Sequence, residues 1–185
     1  MLAPRIDAEG GNFRGLILLA GSPRKLEEIM LSQNREMAEL SGKLLRSILE
    51  KQTKKLEEMF RGLYEMTDGE AKAKKVGNGT TLYYFKDMGQ PTVAQWLEKT
   101  SKPMLVMQGE KDFQVKADTD FRLYKELLAD HPNASFILYE NLNHAFVPSV
   151  YGSISKAKQE YGVEQHIGEN VIADIARWIA QVTAS

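Results

Sequence analysis

Two stretches of this chain, residues 16–20 (LILLA) and 104–107 (MLVM), are apolar without interruption, and a glycine follows each within two residues. A strand with one wet face alternates apolar and polar residues. A short unbroken apolar run closed by glycine or proline fits a strand covered on both faces. A third run, 136–139 (FILY), has the same character. The segments between these runs carry helical rather than alternating periodicity, and strands separated by helices predict an α/β class with a parallel sheet. Three strands are few for such a sheet.

Between the first two strands the pattern changes. Met37, Leu40, Leu44 and Ile48 recur at three- and four-residue steps, as do Leu56, Met59 and Leu63. This predicts two amphipathic helices with a break near residues 51–54 and a stop at Asp68-Gly69. The following segment, EAKAKKVGNGTT, reads as a basic, glycine-rich loop, and Pro91 opens a short helix. Phe121, Tyr124 and Leu128 mark a helix over 117–129, and Val171, Ile175, Trp178 and Val182 mark the last one. The predicted division is a sheet core of residues 1–25 and 91–185, with residues 26–90 inserted as a helical block.

Composition narrows the function. Lys+Arg 24 against Asp+Glu 25 leaves no basic excess for nucleic acid or an anionic membrane. With no cysteine, disulfides, thiolate metal sites and a cysteine nucleophile are excluded. The three histidines lack metal-ligand spacing, and Gly77-Asn78-Gly79 lacks the lysine or glycine frame of a phosphate cradle, so no metal or cofactor is expected. No apolar run is long enough for a membrane span or laid out as a leader, which is read as a soluble, cytoplasmic chain.

The chemistry sits at two strand ends. The second strand closes in MQGEKDFQV and the third in ENLNHAF, placing Asp112 and His144 in loops one crossover apart. Consecutive parallel strands joined by a right-handed crossover lie side by side, so the two loops emerge together at the carboxyl edge, where ligands gather. A carboxylate there can take one imidazole N–H and leave the other nitrogen as a base. Phe113, Val115 and Phe146 flank the pair and are candidates to wall a substrate site. His131 and His166 have no such partner and read as surface residues.

The segments KPMLVMQGEKDFQV, FILYENLNHAF and VIADIARWI, in this order, resemble the C-terminal half of an α/β-hydrolase of the esterase and dienelactone-hydrolase-like branch. The resemblance implies a partial α/β-hydrolase fold: about three parallel strands, flanking helices and a helical cap inserted at 26–90. It implies a Ser, Asp, His triad in which Asp112 orients and His144 is the base. The serine's G-x-S-x-G frame is missing: Ser22 follows a glycine but lacks the second one, and Ser153 lies beyond the histidine. Because MLAPRI resembles the start of the helix after that elbow, the serine is expected about four residues before Met1. The oxyanion hole is expected to be missing with it.

The chain is therefore expected to be the C-terminal part of a serine carboxylic-ester hydrolase for a small-molecule ester, inert alone. The alternatives are a non-catalytic assembly module, or a peptidase or acyltransferase of the same fold. An edge left open along residues 15–20 predicts a homo-oligomer in contact through Leu16–Leu19 and the segment 1–6.

Overall fold

The computed structural model describes residues 2–77 and 79–184. Its main sheet has the order β1-β4-β5, with β1 at Leu16–Leu19, β4 at Met104–Gly109 and β5 at Ala134–Tyr139. Both pairings are parallel, Leu16 facing Met104 and Met104 facing Ala134. The class is α/β, a three-stranded parallel sheet with flanking helices.

Strand side chains alternate between faces, and here each face has its own core. Leu16, Leu18, Met104 and Val106 pack on one side with Val93 and Leu97 of α6 (Val93–Leu97) and Tyr124 of α7 (Arg122–Leu127). Leu105, Met107 and Tyr139 pack on the other with Val171, Ile175 and Trp178 of α9 (Glu169–Ala184). The unbroken run MLVM thus has two apolar destinations, and all of β4 is buried. At the base of the sheet a side chain on Gly15 would collide with Trp178, its Cβ lying 2.6 Å from the indole.

The chain divides into two compact units: one takes in residues up to Pro23 and from Val93 onward, the other Arg24–Thr92. The second unit is built on α2 (Leu26–Glu39) and α3 (Lys43–Phe60), followed by α4 (Asp68–Ala73). A small antiparallel pair comes next, β2 (Lys75–Val76) with β3 (Thr80–Thr81), and then α5 (Leu82–Gly89). Its core gathers Phe60, Leu63, Ala71, Val76, Leu82 and Phe85, with the rings of Phe60 and Phe85 5.0 Å apart.

Two boundaries differ from the sequence reading. The break between the helices falls at residues 40–42, not 51–54, because Gly42 starts α3 and Arg46 reaches back to the last carbonyls of α2. Its Nε donates to Ala38 O (3.1 Å) and its Nη2 to Glu39 O (2.6 Å). Asp68-Gly69 opens α4 rather than stopping a helix. Thr67 caps it, its Oγ1 accepting from Glu70 N at 3.3 Å while Thr67 N donates to Glu70 Oε2 at 2.7 Å. The segment read as loop is accordingly α4 and the β2–β3 pair.

Residues 1–6 are taken up largely by α1 (Ala3–Ala8), Met1 lying outside the described residues. Among the described residues no helix is long and apolar enough to cross a membrane.

Candidate active site

Strand β4 hands over to its loop at Gly109, and the glycine is required. A Cβ there would sit 2.4 Å from Leu142 O and 2.6 Å from Asn143 O, so only a residue without a side chain lets the β5 loop come this close. The two loops then zip together through Glu110 N to Tyr139 O (2.8 Å) and Lys111 N to Leu142 O (2.9 Å). Asp112 and His144 are carried out side by side.

The Asp112 carboxylate accepts four hydrogen bonds. Oδ1 takes the backbone N–H groups of Gln114 (2.8 Å) and Val115 (2.9 Å), closing a tight Asx-type turn. Oδ2 takes Gln108 Nε2 (2.7 Å) and His144 Nδ1 (2.8 Å). The Asp112 side chain is 0% exposed while that of His144 is 35% exposed. A carboxylate only accepts, so Nδ1 carries the hydrogen, and in the neutral ring Nε2 keeps its lone pair. Nε2 has no hydrogen-bond partner among the described residues.

The histidine loop is tied from within. Asn143, fully buried, donates its Nδ2 to Glu160 Oε1 (2.9 Å) and accepts Ala145 N on Oδ1 (2.9 Å). Glu160, at the end of α8 (Ala157–Glu160), also takes the N–H groups of Val150 (3.2 Å) and Tyr151 (2.6 Å) on Oε2. Burial alone would raise the Glu160 pKa; the hydrogen bonds from Asn143, Tyr151 and Val150 outweigh it and hold the carboxyl below its ordinary value. Phe146 adopts φ 58°, a left-handed conformation costly for a bulky residue, and its buried ring meets Tyr139 edge-on at 5.9 Å.

Phe113 and Val115 lie in the Asp112 turn and Phe146 in the His144 loop; all three are buried. Phe113 packs on Tyr161 at 5.8 Å, and Val115 O accepts Gln108 Nε2 at 2.9 Å. The Ser22 hydroxyl donates to the buried Asp120. Ser153 Oγ lies 3.0 Å from Ser155 Oγ. His166 is exposed, but His131 is half-buried, with Nδ1 accepting Asn133 N at 3.3 Å, because it closes the turn into β5. Among the described residues no group of three or more His, Asp and Glu is placed to hold a metal.

Sequence reasoning passed over Gln108, Asn143 and Glu160. Gln108 had a visible signal as the one polar residue in the buried run before Gly109. Glu160 had none, since nothing local links it to a loop 17 residues away.

A parallel sheet carrying an aspartate and a histidine on adjacent carboxyl-edge loops defines a hydrolase-type α/β domain. Residues 68–181, more than half of the chain, match the dienelactone hydrolase family, and the chain belongs to that family. It is also similar to esterase EstD of Thermotoga maritima, with 28% identity over 181 residues. That match covers 98% of this chain but 40% of the relative, so the chain spans about two fifths of the length of that protein.

Proposed function

We propose that this chain carries the acid–base half of a carboxylic-ester hydrolase, working with a serine nucleophile and an oxyanion hole that lie outside these 185 residues. The observation that carries the reading is the buried Asp112 carboxylate holding His144 Nδ1 at 2.8 Å, while the opposite nitrogen has no hydrogen-bond partner among the described residues. Membership of the dienelactone hydrolase family and the likeness to a protein named an esterase support it. The lack of any G-x-S-x-G window in the sequence supports placing the nucleophile elsewhere.

His144 Nε2 takes the proton of the attacking hydroxyl as its oxygen bonds to the ester carbonyl. The imidazolium so formed is stabilised by Asp112, which keeps its own charge. The proton then passes to the departing alcohol oxygen as the C–O bond breaks, leaving an acyl-enzyme. Water repeats the sequence and releases the acid. The oxyanion hole stabilises the charge that builds on the carbonyl oxygen.

The test is hydrolysis of p-nitrophenyl acetate. The 185-residue chain alone is expected to stay at the background of free imidazole. Joined to, or mixed with, a serine-bearing segment of the same family, it is expected to hydrolyse the ester, and His144→Ala is expected to abolish that gain, since members of a triad act as a unit. Hydrolysis that survives His144→Ala would overturn the reading. No gain with any serine-bearing segment would favour a non-catalytic module.

A further inference from the structure

Gln108 is the polar residue of a strand that is otherwise apolar and buried along its whole length, and it is itself 1% exposed. An amide in such surroundings is costly unless its hydrogens are met. Its Nε2 donates to Asp112 Oδ2 at 2.7 Å and to Val115 O at 2.9 Å. Gly109 O, at 3.4 Å, is a much weaker third contact. A carboxylate and a carbonyl only accept, so the nitrogen of the amide, not its oxygen, faces the Asp112 turn. Both hydrogens are thereby committed, and the side chain ties the first residue of that turn to the fourth.

The oxygen that receives this amide is also the one that holds the histidine. The N–H groups of Gln114 and Val115 pin Oδ1. The Cβ–Cγ torsion of an aspartate is broad, however, so a pinned Oδ1 still leaves the carboxylate room to tilt. Oδ2 has two partners among the described residues, Gln108 Nε2 and His144 Nδ1. A carboxylate oxygen offers about two lone-pair directions in its plane, and with Gln108 on one the other is left for the ring. We propose that Gln108 is a positioning residue for the acid–base pair: its amide holds the Asp112 carboxylate at the tilt that presents Oδ2 to His144 Nδ1. It acts through Asp112, and its effect on turnover rests on the hydrolase reading above. A core amide that only braced the turn would, on removal, loosen Asp112, Gln114 and Val115 together; a positioning amide frees the ring first.

Proton–nitrogen NMR and hydrogen exchange on the 185-residue chain separate the two. Gln108→Met keeps the length of the side chain and removes both donors. In it the His144 Nδ1–H is expected to exchange with water about tenfold faster, the order of one hydrogen bond, and the ring to take up a share of the Nε2–H tautomer. The amides of Gln114 and Val115, bonded to Oδ1, are expected to keep their exchange rates within about threefold of the wild type. Gln108→Asn, whose amide is one methylene short of both acceptors, is expected to show the same selective loss. It carries the test if Gln108→Met loses its chemical-shift dispersion.

An unchanged His144 Nδ1–H in these variants would overturn the proposal, as would Gln114 and Val115 amides that lose as much protection as the ring. Turnover is read separately. With the serine-bearing segment supplied, Gln108→Met is expected to lower kcat on p-nitrophenyl acetate about tenfold and leave KM within about twofold, since so buried a side chain meets no part of the ester. A freed ring without hydrolysis in the nucleophile experiment leaves the positioning role standing and sinks the hydrolase reading. Hydrolysis at the wild-type kcat in Gln108→Met sinks the positioning role.

Discussion

At the scale of single residues, the site is a problem in placing buried polar atoms. Two buried carboxylates organise it, Asp112 behind His144 and Glu160 behind Asn143, and each is surrounded by donors. A buried acceptor left without its donors costs about 1–3 kcal/mol, so these arrangements hold only as complete sets. Glu160→Gln turns an amide N–H toward donors and is expected to destabilise the chain by about that amount at neutral pH. The folded-state pKa of Glu160 is depressed, so its contribution is present above the unfolded-state value and lost as pH falls through the folded one. Denaturant midpoints measured at neutral pH and again in the acid range below an ordinary carboxylate should therefore show the gap between wild type and Glu160→Gln closing on acidification. A gap that stays constant would remove Glu160 from the account. Asp112 and His144 were legible because strand ends are marked by glycine and an apolar run, and a crossover brings such ends together. Glu160 was not, because it reaches the site from a separate helix.

Between residue and fold stand the elements, and here the close approach at Gly109 decides most. Gly109→Ala places a methyl 2.4 Å from Leu142 O, on backbone that the Glu110 and Lys111 hydrogen bonds hold in place. The loops must part, and the expected result is a loss of about 2–4 kcal/mol in denaturant unfolding together with loss of the Asp112–His144 bond. Gly69→Ala, where a Cβ meets nothing within 4 Å, serves as the control and should be neutral or slightly stabilising. If the two substitutions behave alike, the steric argument fails. The strands were readable because their runs are apolar without interruption, although only β4 is buried on both faces and Leu19 of β1 and Leu138 of β5 are exposed. The break between α2 and α3 was misplaced because the apolar stripe runs on through Leu40, Leu44 and Ile48, all of which the structure leaves exposed. Periodicity reports apolar spacing, not burial. The start of α4 had a local signal in the spacing of Thr67 and Glu70, which outweighs the glycine read as a stop.

For the whole molecule, the open edge of the sheet is the feature with most consequence. Leu16 and Ala20 direct their N–H groups to the β4 side, at Pro103 O and Met107 O, so the backbone groups of Ile17 and Leu19 point outward. Leu19 is half-exposed, and no charge or proline guards residues 16–20. Such edges recruit another strand. The 185-residue chain is therefore expected to self-associate at micromolar concentration by light scattering, with Leu19→Lys shifting it toward monomer; a wild-type monomer would show the edge to be protected. That the sheet would be short was legible from its three apolar runs.

The central claim is that a buried carboxylate fixes the imidazole with its hydrogen on Nδ1, leaving Nε2 to act, and this can be observed in the chain by itself. Proton–nitrogen correlation spectra of His144 at neutral pH measure the tautomer directly. The account predicts a slowly exchanging Nδ1–H with an unprotonated Nε2, lost in Asp112→Asn. A ring carrying its hydrogen on Nε2, unaffected by Asp112→Asn, would contradict it.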